Sequence, residues 1–129
     1  MEGNFIELYN LEVYRISKSY STAAWPVYSQ LTWEYKKIIG DQMIRSIDSV
    51  GANIAEGYGR FHYLDKIKFY YIARGSLVES AHWLELMIER KMFKQEDCVN
   101  LLTINKQIYF KLNGLIKSQH ERKATTTNT

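Results

Sequence analysis

The sequence has one proline, one cysteine and no run of 18 apolar residues, and each shortage excludes a class of protein. Without a long apolar run there is no helical membrane span, because crossing the hydrocarbon core takes about 20 such residues. A lone Cys98 cannot close an internal disulfide, which argues against a disulfide-stapled scaffold and fits a reducing compartment. The opening residues carry Glu2, Glu7, Glu12 and Arg15 with no apolar stretch between them. No secretory leader is expected from them, and a cytoplasmic location is the default. Charge of one sign is scarce too: the net charge is +3, too weak by itself to demand a nucleic-acid partner.

Aromatic residues are plentiful at 14%, with 10 tyrosines. Rings with one apolar body and one polar tip suit cores and protein interfaces, which points to a homo-oligomer or to docking on another protein. The charge is uneven. From Asn105 onward Lys106, Lys111, Lys117, Arg122 and Lys123 stand against one acid, Glu121. That end reads as a solvated helix face with a basic tail or as a basic binding patch.

The apolar spacing is helical throughout and no segment alternates as a strand does, so the fold class is all-α. Four segments follow: about Glu7 to Gln30, Glu34 to Tyr58, Tyr63 to Met92 and Gln95 to Ser118. Pro26 inside the first must kink or end it. In the second, Met43, Ile47, Val50, Ile54 and Phe61 form a core seam, and Ile44, Asp48, Gly51 and Ala55 form a face small enough for a close neighbour. Gly57 and Gly59 then end the helix as left-handed caps. The seam of the third is Phe69, Ala73, Ser76, Ser80, Trp83 and Met87. That of the fourth is Leu101, Ile104, Ile108, Leu112 and Leu115, widened by Leu102, Tyr109 and Ile116. Short connections make successive helices antiparallel, an up-down-up-down four-helix bundle over residues 1–118, with 119–129 as a disordered tail.

A second stripe on the Glu34–Tyr58 segment is polar: Gln42, Arg45, Ser49, Asn53 and Glu56. Such a stripe is ordinarily a solvated face. Yet short Gln, Ser and Asn side chains are a poor choice for an exposed helix, which favours partial burial against Ser76 and Glu79, with Arg45 level with Glu79.

The search for chemistry finds little. Glu79-Ser80-Ala81-His82 has the Glu-x-x-His spacing of di-iron bundles, but that architecture needs two such motifs and two further carboxylates. Only one is present, so no metal or cofactor is expected. Glu96 and Asp97 beside Cys98 oppose thiolate formation. Nothing brings the three histidines together with a nucleophile and an acid, so no catalytic residue is assigned.

The run from Gly40 to Arg60, centred on Asn53-Ile54-Ala55-Glu56-Gly57, resembles the signature of the bacterial four helix bundle protein family. That family was first described as proteins encoded in intervening sequences of large-subunit ribosomal RNA genes. Phe69-Tyr70-Tyr71-Ile72-Ala73-Arg74-Gly75-Ser76-Leu77-Val78-Glu79, Trp83-Leu84, Leu11-Glu12-Val13-Tyr14 and Trp33-Glu34-Tyr35 extend the likeness over Leu11 to Ile116. The resemblance implies a four-helix bundle, commonly a homopentamer, with no established enzymatic activity. A related branch, the accessory protein of diversity-generating retroelements, is a basic pentameric barrel that works with a reverse transcriptase and binds nucleic acid; this sequence is less basic.

Two functions follow as expectations. One is a homo-oligomeric, non-enzymatic structural or adaptor protein with another protein as partner. The other is an accessory factor contacting RNA or DNA backbone through Arg60, Lys66, Lys68, Arg74, Lys106, Lys111 and Lys117.

Overall fold

The computed structural model describes residues 7–127, with side chains placed to residue 122. Among these residues there is helix and no strand. Helix α1 spans Glu12–Gln30. A short turn at Trp33–Tyr35, capped by the Thr32 hydroxyl accepting from the Tyr35 amide at 3.1 Å, leads through a π-helical turn at Lys36–Gly40 into α2, Asp41–Tyr58. Helices α3, Tyr63–Glu89, and α4, Gln95–Thr127, complete the bundle.

The side-chain contacts fix how neighbours run. Between α2 and α3, Ser49 meets Ser76 while Gly57 lies against Tyr70, so one number falls as the other rises. Between α3 and α4, Leu77 meets Asn105, Arg74 meets Asn113 and Tyr71 meets His120. Across α1 and α4, Tyr20 meets Asn105 and Glu12 meets Lys111. Each of these pairs runs in opposite senses.

The core is mostly apolar. Tyr20, Ile39, Met43, Ile47, Val50, Ile54, Leu77, Leu84, Met87, Leu101, Ile108 and Leu112 are all buried. On α2 the predicted seam holds at Met43, Ile47, Val50 and Ile54, but Phe61 is 91% exposed because the chain has left the helix before reaching it. On α3 Ala73, Ser80 and Met87 lie inward as predicted, while the deep row beside them is Tyr70, Leu77 and Leu84. Phe69, Ser76 and Trp83 sit half-buried on the side facing α2. On α4 the inward row is Cys98, Leu101, Asn105, Ile108, Leu112 and Ile116, and Tyr109 is exposed. The small face of α2 takes α1 closely: a Cβ at Gly51 would come within 3.0 Å of the Ser17 hydroxyl.

Three boundaries differ from the sequence reading. Helix α1 begins at Glu12, after a break at Leu11, rather than near Glu7. It continues through Pro26 to the expected end at Gln30, since a missing donor near a C-terminus breaks one bond and leaves the last turn intact. Helix α4 runs past Ser118 to Thr127, and Gln119 is only 6% exposed, so residue 118 ends neither the helix nor the packing; Asn128 and Thr129 lie outside the described residues. No described glycine has a positive φ, and Gly57 is helical for another reason: Tyr70 and the Lys66 carbonyl leave no room for a Cβ.

The left-handed residue is Lys91, φ 54°, just past α3. The Met92 amide bonds the Met87 carbonyl at 3.0 Å and the Lys91 amide the Ile88 carbonyl at 3.1 Å, a Schellman closure. Met87 and Met92 are both buried beneath it. A side chain in this conformation is strained by about 1 kcal/mol or more. Lys91→Gly is therefore expected to raise the unfolding free energy by about 0.5–1 kcal/mol in urea titration, and a loss would contradict the strain.

Candidate functional site

At the centre of the bundle three helices meet on a polar cluster that the sequence reading did not find. Asn105 Nδ2 donates to Tyr20 Oη at 2.9 Å, to the Leu77 carbonyl at 2.8 Å and to Ser80 Oγ at 3.2 Å. The Tyr20 and Ser80 hydroxyls lie 2.8 Å apart, and Ser80 donates to Leu77 O at 2.9 Å. Burial pushes the Tyr20 phenol above its ordinary pKa, which keeps it a neutral donor. Among the described residues no fully buried side-chain polar atom lacks a partner, and the cluster ties α1, α3 and α4 in one register. Nothing in it is open to a substrate, so its role is structural.

The polar stripe of α2 divides. Ser49 Oγ and Ser76 Oγ lie 3.0 Å apart, and Asn53 Nδ2 donates to Ser49 Oγ at 2.9 Å and to the Ser49 carbonyl at 2.8 Å, all half-buried between α2 and α3. Gln42, Arg45, Glu56 and Glu79 are exposed. Glu56 pairs with Arg60 at 2.6 Å, and Glu79 accepts the Trp83 indole N–H at 3.0 Å. Arg45 makes no ion pair with Glu79, because a long side chain one step out from Ser49 reaches water before it reaches α3.

Most of the predicted basic contacts are engaged inside the chain. Arg60 stacks 4.8 Å over Phe69 as well as pairing with Glu56. Lys66 donates to the Tyr58 carbonyl at 2.7 Å, closing the end of α2. Arg74 donates to Asn113 Oδ1 at 2.9 Å and lies over the Tyr71 ring, and Lys111 pairs with Glu12 at 3.2 Å. Lys68, Lys106 and Lys117 are exposed without ion pairs among the described residues.

His82 lies beside the Trp83 ring, and no group of three or more His, Cys, Asp or Glu among the described residues could hold a metal ion. Burial, with the Asp97 charge beside it, pushes the Cys98 thiol up to about 11. Among the described residues no helix is long and apolar enough to cross a membrane.

The outer surface is less ordinary. Leu64, Tyr71, Ile72 and Val78 are exposed on α3 within an arc of roughly 120°, and Gly75 lies at its middle with nothing within 4 Å of a built Cβ. Glu79 lies within the same arc, and Gln42, Arg45 and Glu56 are exposed on α2, the helix joined to α3 by the Ser49–Ser76 contact.

Comparison with known proteins agrees with this architecture. A protein of unknown function from the S23 ribosomal protein family of Bacteroides thetaiotaomicron, solved by crystallography, superposes with a TM-score of 0.76 at 28% identity, over 81% of this chain and 98% of its own. No curated protein matches the sequence. The family model for 23S rRNA-intervening sequence proteins matches residues 9–114, and the chain belongs to that family.

Proposed function

We propose that this protein is a non-enzymatic, cytoplasmic, homo-oligomeric scaffold that docks another protein, with five copies the number the family resemblance implies. The observation that carries the reading is the outer face of α3. A mid-helix glycine costs about 1 kcal/mol relative to alanine, and within the chain nothing near Gly75 compensates. Around it stand Tyr71, Ile72 and Val78, the last 60% exposed. A backbone bared at a small residue and ringed by apolar side chains suits close approach of a second copy. The exposed Gln42, Arg45 and Glu79 would supply its polar rim. In sedimentation velocity the unmodified chain is expected to run as an oligomer and Val78→Glu to shift toward the 15.2 kDa protomer. Identical behaviour of the two would sink the assignment of this face.

A second reading, contact with RNA or DNA backbone, is favoured by Lys106 and Lys117, which flank the exposed Phe110 on one side of α4. Repetition around a ring would multiply weak contacts. Retention in mobility shifts should then fall steeply with salt; no retention at about tens of micromolar in low salt removes this reading.

A further inference from the structure

A ring of copies cannot be built from a surface that meets only itself, because two-fold pairing closes at two. The outer face of α3 therefore needs an unlike face on its neighbour, set about 90–110° away around the bundle for about four or five copies to close. Helices at adjacent corners of a four-helix bundle point outward at about that angle. Both α2 and α4 adjoin α3. The exposed row of α2 runs Gln42, Arg45, Asp48, Ala52 and Glu56 and offers no large apolar side chain. That leaves α4.

On α4 Phe110 is 79% exposed and belongs neither to the core nor to the residues packed against it. Its height along the bundle follows from the contacts inside one chain. Asn105 meets Leu77 and Ser80, and Asn113 meets Arg74. That antiparallel register sets Gly75 level with Phe110, and Glu79 level with Lys106, to within about one turn. Rotation about an axis along the bundle preserves height, so Phe110 of one copy arrives opposite Gly75 of the next. Gly75 has nothing within 4 Å of a built Cβ and is flanked by exposed Tyr71, Ile72 and Val78, a hole for a large knob. Away from α3, the other exposed large apolar side chains among the described residues gather toward the two ends, at Trp25, Trp33, Ile38 and Val99 and at Tyr9 and Phe61. Phe110, with Tyr109 beside it, is at mid-height.

Charge agrees with this pairing over half its length. Glu79, Glu85 and Glu89 are exposed on the C-terminal half of α3, and Lys106 is exposed on the half of α4 that comes level with it. Toward the other end Lys117 comes level with Lys68 and Asp65, which together add no net attraction.

We infer that the outer faces of α3 and α4 are the two unlike halves of one contact between copies of this chain, with Phe110 seated over the neighbour's Gly75 and Lys106 beside its Glu79. The inference rests on the assembly reading and supplies the second surface which that reading lacks. It competes with the RNA or DNA reading for Lys106 and Phe110.

The test is sedimentation velocity on the unmodified chain, on Val78→Glu and Phe110→Glu separately, and on their equimolar mixture. Both positions are exposed, and thermal melts check that each variant folds. Each variant alone is expected to fall toward the protomer, its dissociation constant raised about tenfold or more. The mixture is expected to form a dimer and stop there. Phe110→Glu keeps its α3 face, Val78→Glu keeps its α4 face, and the joined pair has no further intact contact to make. Lys106→Glu should weaken assembly by about fivefold, and adding Glu79→Lys should restore most of that loss. A mixture that forms no dimer overturns the pairing. So does an unmodified oligomer that only one of the two substitutions disrupts; where that one is Val78→Glu, the α3 assignment still stands. An unmodified chain that runs as a single protomer overturns the assembly reading and this pairing with it.

Discussion

Asn105→Ala is expected to lower the unfolding free energy by about 2–4 kcal/mol, measured by urea titration. The side chain is 6% exposed and its amide serves Tyr20, Leu77 and Ser80 at 2.8–3.2 Å. Truncation leaves buried acceptors short of a donor, at about 1–3 kcal/mol for each group stranded, and opens a small cavity as well. Changing the partners together behaves differently. Asn105→Leu combined with Tyr20→Phe and Ser80→Ala removes donors and acceptors at once, and should recover most of the loss while loosening the helix register. A single Asn105→Ala variant as stable as the parent would mean the cluster is not holding α1, α3 and α4.

Gly57→Ala is the second large effect, a loss of about 1–3 kcal/mol even though alanine favours helix by about 1 kcal/mol. The added Cβ would stand 2.8 Å from Tyr70 Cε1, 3.0 Å from Cδ1 and 3.1 Å from the Lys66 carbonyl. Tyr70 is itself buried, with its phenol pushed up to about 12 by that burial, so the ring has nowhere to move. Gly114→Ala on α4 is the control. Its Cβ meets nothing within 4 Å, and it should gain about 0.5–1 kcal/mol in the same measurement.

These two sites show what could be read beforehand. The α2 seam was legible because one helix face carries Met43, Ile47, Val50 and Ile54 with no rival. On α3 two adjacent rows, each with seven-residue spacing, compete: Phe69-Ser76-Trp83 and Tyr70-Leu77-Leu84. Both touch the interior; which lies deeper depends on where α2 and α4 sit, which spacing along one helix does not encode. Asn105 was hidden for a similar reason. Its partners Tyr20 and Ser80 lie 85 and 25 residues away, so only the fold reveals that a polar residue on an apolar row is satisfied. Lys91 carries no local signal, since a left-handed cap is ordinarily announced by glycine. The stripe on α2 was half legible. Short Ser49 and Asn53 stay inside the groove, while the longer Gln42 and Arg45 reach solvent.

The assembly is the claim on which the functional reading turns, and the mass of the unmodified chain in solution tests it most directly. Light scattering at tens of micromolar should return an integral multiple of the 15.2 kDa protomer, five being the number expected. A single 15.2 kDa species across that range would contradict it, and the outer face of α3 would then be only an exposed apolar surface.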